Sequence, residues 1–230
     1  MPILPRRFER LRQVLNQRMG DLTVVLESIH KTHNHSAILR SCDAVGVFEV
    51  HAVTQNEADL PTFNATARGS QKWVRVHLHE RIEPLLRDLK DRGFRIYGTQ
   101  LGPRTIPYDS CDFTAPTCFL LGSEGWGSSA AAQALVDHAI TIPMMGMVQS
   151  LNVSVACATL LFEALRQRRV RGLVPMDRSG LGPEVYRRTL FEWAYPEVAD
   201  WCRRQERDYP DLGENGEILE QLPRNVRLRC

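Results

Sequence analysis

The chain has 230 residues, enough for one sizeable hydrophobic core with extensions and short for two full domains. Hydrophobic residues make up 43% and charged residues 24%, the balance of a globular protein, which excludes wholesale disorder. No apolar run reaches the ~20 residues of a membrane helix, and the opening residues MPILPRR hold no apolar signal core, so a cytoplasmic protein with no membrane partner is expected.

Residues 6–19 form the first predicted element, a short basic helix with Phe8, Leu11, Val14 and Leu15 at helical spacing. A strand–helix alternation then begins. Leu22–Leu26 is β-branched and apolar and reads as a buried strand. Ser36–Val45 reads as a helix with Gly46 placed to stop it. Strands follow at 47–53 and 74–78. A helix over Glu80–Arg92 carries Ile82, Leu85, Leu86 and Leu89 on one face, with Gly93 as its stop and Pro84 in its first turn. Strands at 94–99, 117–121 and 138–142, a small alanine-rich helix at 128–136 and a long helix at 152–168 complete the pattern. Val155, Ala158 and Phe162 add to the apolar stripe of that last helix, so it reads as buried all round. The alternation predicts an α/β fold: a mostly parallel sheet with helices on both faces. After about residue 172 the character changes. The expected organisation is a helical N-terminal arm (1–20), a main domain (21–172) and a C-terminal extension (173–230) with no core of its own and a loosely ordered end.

The net charge is only +2, but residues 1–20 hold five arginines against one glutamate, and residues 166–188 hold seven arginines against two acids. Basic stretches at both ends suit a polyanion, with Arg7, Arg10, Arg12, Arg166, Arg168 and Arg169 as candidate contacts. The six cysteines form no CxxC pair, which points to free thiols in a reduced compartment. His30, His33 and His35 are too short a run to make a metal site without further ligands, so no metal is expected.

Three loops follow the carboxyl ends of strands, where open α/β sheets bind ligands. The first, His33–Ser36, opens the helix that carries Arg40, whose guanidinium would face outward and suits a phosphate. The second, Gly122-Ser-Glu-Gly-Trp-Gly127, lets backbone approach a ligand closely. Its order is GxxGxG and it comes late, so it is neither the dinucleotide fingerprint nor a P-loop, and a nicotinamide oxidoreductase is disfavoured. The third, Ile142–Asn152, is an apolar approach to a helix with Ser150 and Asn152 at capping positions, and it would need shelter.

Together these loops resemble the three motifs of the SPOUT superfamily, in its RNA ribose 2′-O-methyltransferase branch. The first motif is carried by Asn34, Ala37, Arg40, Ala44 and Gly46. The second is carried by Leu120, Gly122, Glu124 and Gly127, and the third by Ile142 through Ala156. Within that branch the chain is most similar to the tRNA (guanosine-18) 2′-O-methyltransferases, through His30–Asn34, Asp43–Gly46, the Met-Met-Gly-Met loop, Leu190-Phe-Glu192 and Tyr195-Pro196. Thr32 departs from the proline usual there. The resemblance implies a C-terminal trefoil knot, which no sequence pattern suggests, and a homodimer. It also implies S-adenosylmethionine as cofactor at Thr99, Gly122, Ile142 and Leu151, and a catalytic set of Arg40, Asn34, Glu124, Ser150 and Asn152. The basic ends, without a separate RNA-binding domain, favour tRNA as partner over ribosomal RNA. An intact catalytic set argues against a non-catalytic RNA-binding relative. A guanidinium, protonated up to about pH 12, is a poor general base, so Arg40 fits better as a clamp on the phosphate beside the acceptor ribose.

Overall fold

The computed structural model describes residues 2–29, 31–54, 72–102, 104–123, 126–175 and 179–222. Two compact units make up the chain: Met19–Val174, and the two ends, Met1–Arg18 with Pro175–Cys230.

The larger unit is built on a parallel sheet of β1 (Leu22–Glu27), β2 (Glu49–Val53), β3 (Arg75–His79), β4 (Arg95–Thr99), β5 (Ile106–Pro107), β6 (Thr117–Leu121) and β7 (His138–Thr141). Their order across the sheet is β3-β2-β1-β6-β4-β7-β5. The central strands are apolar on both sides because both faces are covered. Leu22, Val24 and Leu26 of β1 pack with Phe119 and Leu121 of β6 on one face. Val25 packs with Cys118 and Leu120 on the other. The first face is covered by α2 (Thr32–Val45) and α5 (Val153–Val170), through Ile38, Leu39 and Cys42 against Cys157, Leu160 and Leu161. The second is covered by α3 (Ile82–Asp91), through Leu85, Leu86 and Leu89, and by Ala132 of α4 (Ala130–Gln133).

The helix stops behave as expected. Gly46 ends α2 in the left-handed region with φ 94°, and Gly93 follows α3 with φ 87°. Three local differences have plain causes. Helix α2 starts at Thr32, four residues before the capping-type Ser36, which puts Asn34 and His35 in its buried first turn. The alanine-rich helix is a single turn, capped by Ser129, whose hydroxyl accepts from the Ala132 N–H. Strand β5 is only two residues long and leaves no alternation to read.

Helix α5 is not buried all round. Val153, Cys157, Leu160, Leu161, Ala164 and Leu165 are buried, but Val155 and Phe162 are 49% and 51% exposed. Among the described residues nothing gives the preceding loop its expected shelter: Met145 and Met147 are almost fully exposed.

Arg168 corrects another expectation. It is 1% exposed and cannot meet RNA. Its Nε donates to the Phe113 carbonyl at 3.0 Å, Nη1 to the Asp21 carboxylate at 2.6 Å, and Nη2 to the carbonyls of Asp21 and Ala115 at 3.0 and 2.9 Å. The neighbouring Gln167 side chain donates to the Cys111 carbonyl at 2.9 Å and accepts from the Phe113 N–H at 2.8 Å. The last turns of α5 thus fix the segment leading into β6.

The smaller unit joins the chain ends. Helix α1 (Pro5–Asn16) has Phe8, Leu11 and Leu15 buried; α6 (Pro183–Ala194) and α7 (Pro196–Arg204) bury Leu190, Phe191, Val198, Ala199 and Cys202. The Tyr186 hydroxyl donates to Asn16 at 2.8 Å. Tyr195 accepts from the Ile3 N–H at 3.0 Å and donates to the Gly216 carbonyl at 2.8 Å. The arm and the extension therefore share one small core. Later residues of the extension also pack there: Tyr209 is buried against Phe191, and a bridge joins Leu212 to Ile218.

Candidate cofactor and active site

Strands β6, β4 and β7 are neighbours in the sheet, so their carboxyl ends bring together three loops distant in sequence. Between them lies a cavity of about 610 Å³, within the size range of small-ligand sites. Thr99, Gly122, Ile142 and Leu151 all line it, as do Ser150 and Asn152. The Thr99 hydroxyl donates to the Leu120 carbonyl at 3.3 Å, tying β4 to β6 at the cavity floor.

Gly122 must be glycine for a local reason. A Cβ there would stand 2.1 Å from the Gly127 carbonyl carbon and 2.2 Å from the Ser128 nitrogen, both backbone atoms. Ser123 and Gly127 exchange two backbone hydrogen bonds at 3.0 and 2.9 Å, and Gly127 takes φ 70°. The glycines therefore close the loop on itself beside the cavity. Glu124, the acid of this motif, lies outside the described residues.

The opposite wall is the start of α5. Asn152 caps it, its Oδ1 accepting from the Ser154 N–H at 2.9 Å and from the Ser154 hydroxyl at 2.6 Å. The Asn152 amide also donates to Oδ1 of Asn34 at 3.2 Å, across 118 residues of sequence. Asn34 is 1% exposed. The structure thus joins Asn34 to Asn152 at the cavity's edge.

Arg40 stands apart from that pair. It follows Asn34 by six residues on α2, about 240° around and 9 Å along an ideal helix. Asn34 faces inward, while Arg40 is exposed and makes no hydrogen bond or ion pair among the described residues. Arg7, Arg10, Arg12, Arg166 and Arg169 are exposed; Arg12 lies 3.5 Å from Glu9, and Arg166 pairs with Glu163 at 2.7 Å. His30 lies outside the described residues, His33 is exposed and His35 is buried. Among the described residues no group of His, Cys, Asp or Glu is arranged to hold a metal, and no helix is long and apolar enough to cross a membrane. Trp126 also lines the cavity while 94% exposed; an aromatic residue between the glycines was its only sequence signal.

These features define the α/β class of enzyme whose small-ligand cavity lies in loops at the carboxyl ends of three adjacent parallel strands. Residues 21–162 match the SpoU rRNA methylase family model, and residues 166–221 match the model of the SpoU rRNA methylase C-terminal region. The chain belongs to the SpoU methylase family. It is 52% identical over 187 residues to a tRNA (guanosine(18)-2′-O)-methyltransferase of Thermus thermophilus, covering 81% of this chain and 95% of that protein. The crystal structure of the A. aeolicus TrmH/SpoU tRNA modifying enzyme is similar with a TM-score of 0.73 and 38% identity, over 84% of this chain and 97% of that one. The SpoU methyltransferase AviRb from Streptomyces viridochromogenes, solved in complex with AdoMet, is similar with a TM-score of 0.59 and 27% identity, over 66% of this chain and 62% of that one.

Proposed function

We propose that this chain is a tRNA methyltransferase that uses S-adenosylmethionine to methylate the ribose 2′-hydroxyl of guanosine 18. The observation that carries the reading is that one cavity is lined by Thr99, Gly122, Ile142 and Leu151, with the Asn152–Asn34 pair at its edge. The cavity fits the cofactor chemically. Leu121, Ile140 and Ile142 offer apolar surface to a planar base, while the loop backbones and the Thr99 and Ser150 hydroxyls offer polar partners. The AdoMet complex of AviRb supports this assignment by likeness, and the guanosine-18 specificity of the Thermus relative supports the acceptor.

When bound, S-adenosylmethionine supplies a methyl on a positively charged sulfur, and its departure as a neutral thioether needs no acid. The burden on the protein is to align the acceptor hydroxyl and steady the charge that grows on it. Asn152 and Asn34 hold each other's amides in fixed orientation beside the cavity, ready to position the ribose. Arg40 clamps an RNA phosphate with its open fork of donors. Arg7, Arg10, Arg12, Arg166 and Arg169 supply sequence-independent attraction to the tRNA backbone.

The enzyme works as a homodimer, in the cytoplasm, with its C-terminal part threaded as a trefoil knot. The exposed Val155 and Phe162, seven residues apart on one face of α5, together with Met145 and Met147, support a second copy as the cover for this apolar surface.

The test is to incubate the protein with labelled S-adenosylmethionine and unmodified tRNA and to map the methylated nucleotide. Label on the ribose of guanosine 18 is expected, and Arg40→Ala abolishes it while cofactor binding persists. Methylation of a base, or near-normal turnover in Arg40→Ala, would defeat the reading.

A further inference from the structure

The acid that ends β1 has no place in the set above, yet it grips the cofactor loop. Five of the six residues of β1, LTVVL, are apolar or β-branched, and the sixth is Glu27, only 6% exposed. A carboxylate taken so far from water needs hydrogen bonds to offset its lost hydration. Both come from one residue 102 positions away. Oε2 accepts from the Ser129 N–H at 2.9 Å, and Oε1 accepts from the Ser129 hydroxyl at 2.7 Å.

Ser129 occupies a strategic point. Its hydroxyl oxygen also accepts from the Ala132 N–H at 3.2 Å and so caps α4. It directly follows Gly127 and Ser128, the backbone against which Gly122 packs. Gly122, Gly127 and Ser128 all line the cavity, whereas Glu27 does not. On the other side, Glu27 leads into Ser28, a non-glycine residue with φ 55°, where the chain turns toward α2 and Asn34. The carboxylate therefore stands between the cofactor loop and the segment that carries the acceptor-side asparagine.

We infer that Glu27 is a positioning residue: by clamping Ser129 it sets the cavity wall formed by Gly122, Gly127 and Ser128, and so the affinity for the methyl donor. The inference rests on the reading of this cavity as the S-adenosylmethionine site. The geometry calls for two hydrogen-bonding atoms at glutamate length, one of them an acceptor for the Ser129 N–H. Glutamine keeps the acceptor for the Ser129 N–H and can donate to the Ser129 hydroxyl oxygen. Aspartate falls one methylene short, and alanine leaves the Ser129 N–H without its partner.

The experiment is isothermal titration of the full-length protein and its variants with S-adenosylhomocysteine, with tRNA affinity measured beside it. Glu27→Ala is expected to weaken S-adenosylhomocysteine by about tenfold or more, with the KM for S-adenosylmethionine rising in parallel. Glu27→Gln recovers most of that loss, and tRNA affinity stays within about twofold of wild type. Ser129→Ala removes only the hydroxyl half of the clamp and shows a smaller loss of the same kind, which keeps the test alive if Glu27→Ala fails to fold. The inference is overturned if S-adenosylhomocysteine binds Ser129→Ala and Glu27→Ala as it binds wild type. It is equally overturned if tRNA affinity falls in step with cofactor affinity, or if Glu27→Gln is as impaired as Glu27→Ala. Failure of the wild-type protein to bind S-adenosylhomocysteine would instead overturn the cofactor assignment itself, and this inference with it.

Discussion

Replacing Arg168 by methionine keeps most of the aliphatic stem and removes the guanidinium. Five hydrogen bonds disappear: those to the carbonyls of Phe113, Asp21 and Ala115, that to the Asp21 carboxylate, and a weak one to the Met19 sulfur. Asp21 is half exposed, so its carboxylate regains water. The carbonyls lose a charged partner in a buried setting, where each such loss costs about 1–3 kcal/mol. Breaking a buried ionic cluster from one side costs about 3–5 kcal/mol in total. For a chain of this size each kcal/mol moves the melting temperature by about 2–4 °C, so Arg168→Met should melt roughly 10 °C below wild type. Its tRNA affinity, measured well below that temperature, should keep the wild-type salt dependence. Arg169→Met is the contrast: exposed, it should melt as wild type while the salt slope of tRNA binding falls by about one. A variant Arg168→Met that melts as wild type and loses salt slope like Arg169→Met would refute the structural role assigned here.

Acid should weaken the fold through β2 and β3. Burial holds His51 down to about 4, and its ring nitrogen lies 3.0 Å from that of His79, which burial also lowers. Glu49 is held down to about 2 chiefly by the hydrogen bond from His77, with help from Arg92. An unfolded histidine takes up its proton near pH 6.5, so the stability His51 contributes is complete above that pH and is lost as pH falls toward 4. Glu49 adds a further loss from about pH 4.5 down to 2. Urea unfolding should show about 2 kcal/mol less stability at pH 5 than at pH 8 from His51 alone, and His51→Phe should flatten the difference; stability that is level across that interval would contradict the reasoning. If a second copy covers α5, as proposed, Phe162→Glu should leave the fold intact, since the side chain is already half exposed, and halve the mass found by sedimentation; an unchanged mass would contradict that proposal.

The elements of the larger unit were readable because its period signals are strong. LTVVL and TCFLL are central strands buried on both faces, and Gly46 and Gly93 mark helix ends whose left-handed φ they alone tolerate at little cost. Strand order was not readable. Nothing local tells β6 to insert between β1 and β4, yet that insertion makes three distant loops neighbours. The Asn34–Asn152 contact is a tertiary fact of the same kind. Arginines were the least legible residues, because residue type does not reveal burial. Arg168 and Arg169 are adjacent in sequence, and helical geometry sends one into the protein and the other into solvent. The apolar Val155 and Phe162 misled in the opposite sense: their composition is that of a core, yet both side chains are half exposed.

The shared core of the two chain ends sets a schedule for synthesis. Helix α1 is made early, and Tyr186 and Tyr195, which bond to Asn16 and Ile3, follow those partners by 170 and 192 positions. At about 5–20 residues per second the interval is of the order of ten seconds or more. During it the larger unit can complete its sheet while Phe8, Leu11 and Leu15 stay unpartnered on a basic, amphipathic helix. The arm, made before the larger unit, thus waits until after it to find its place.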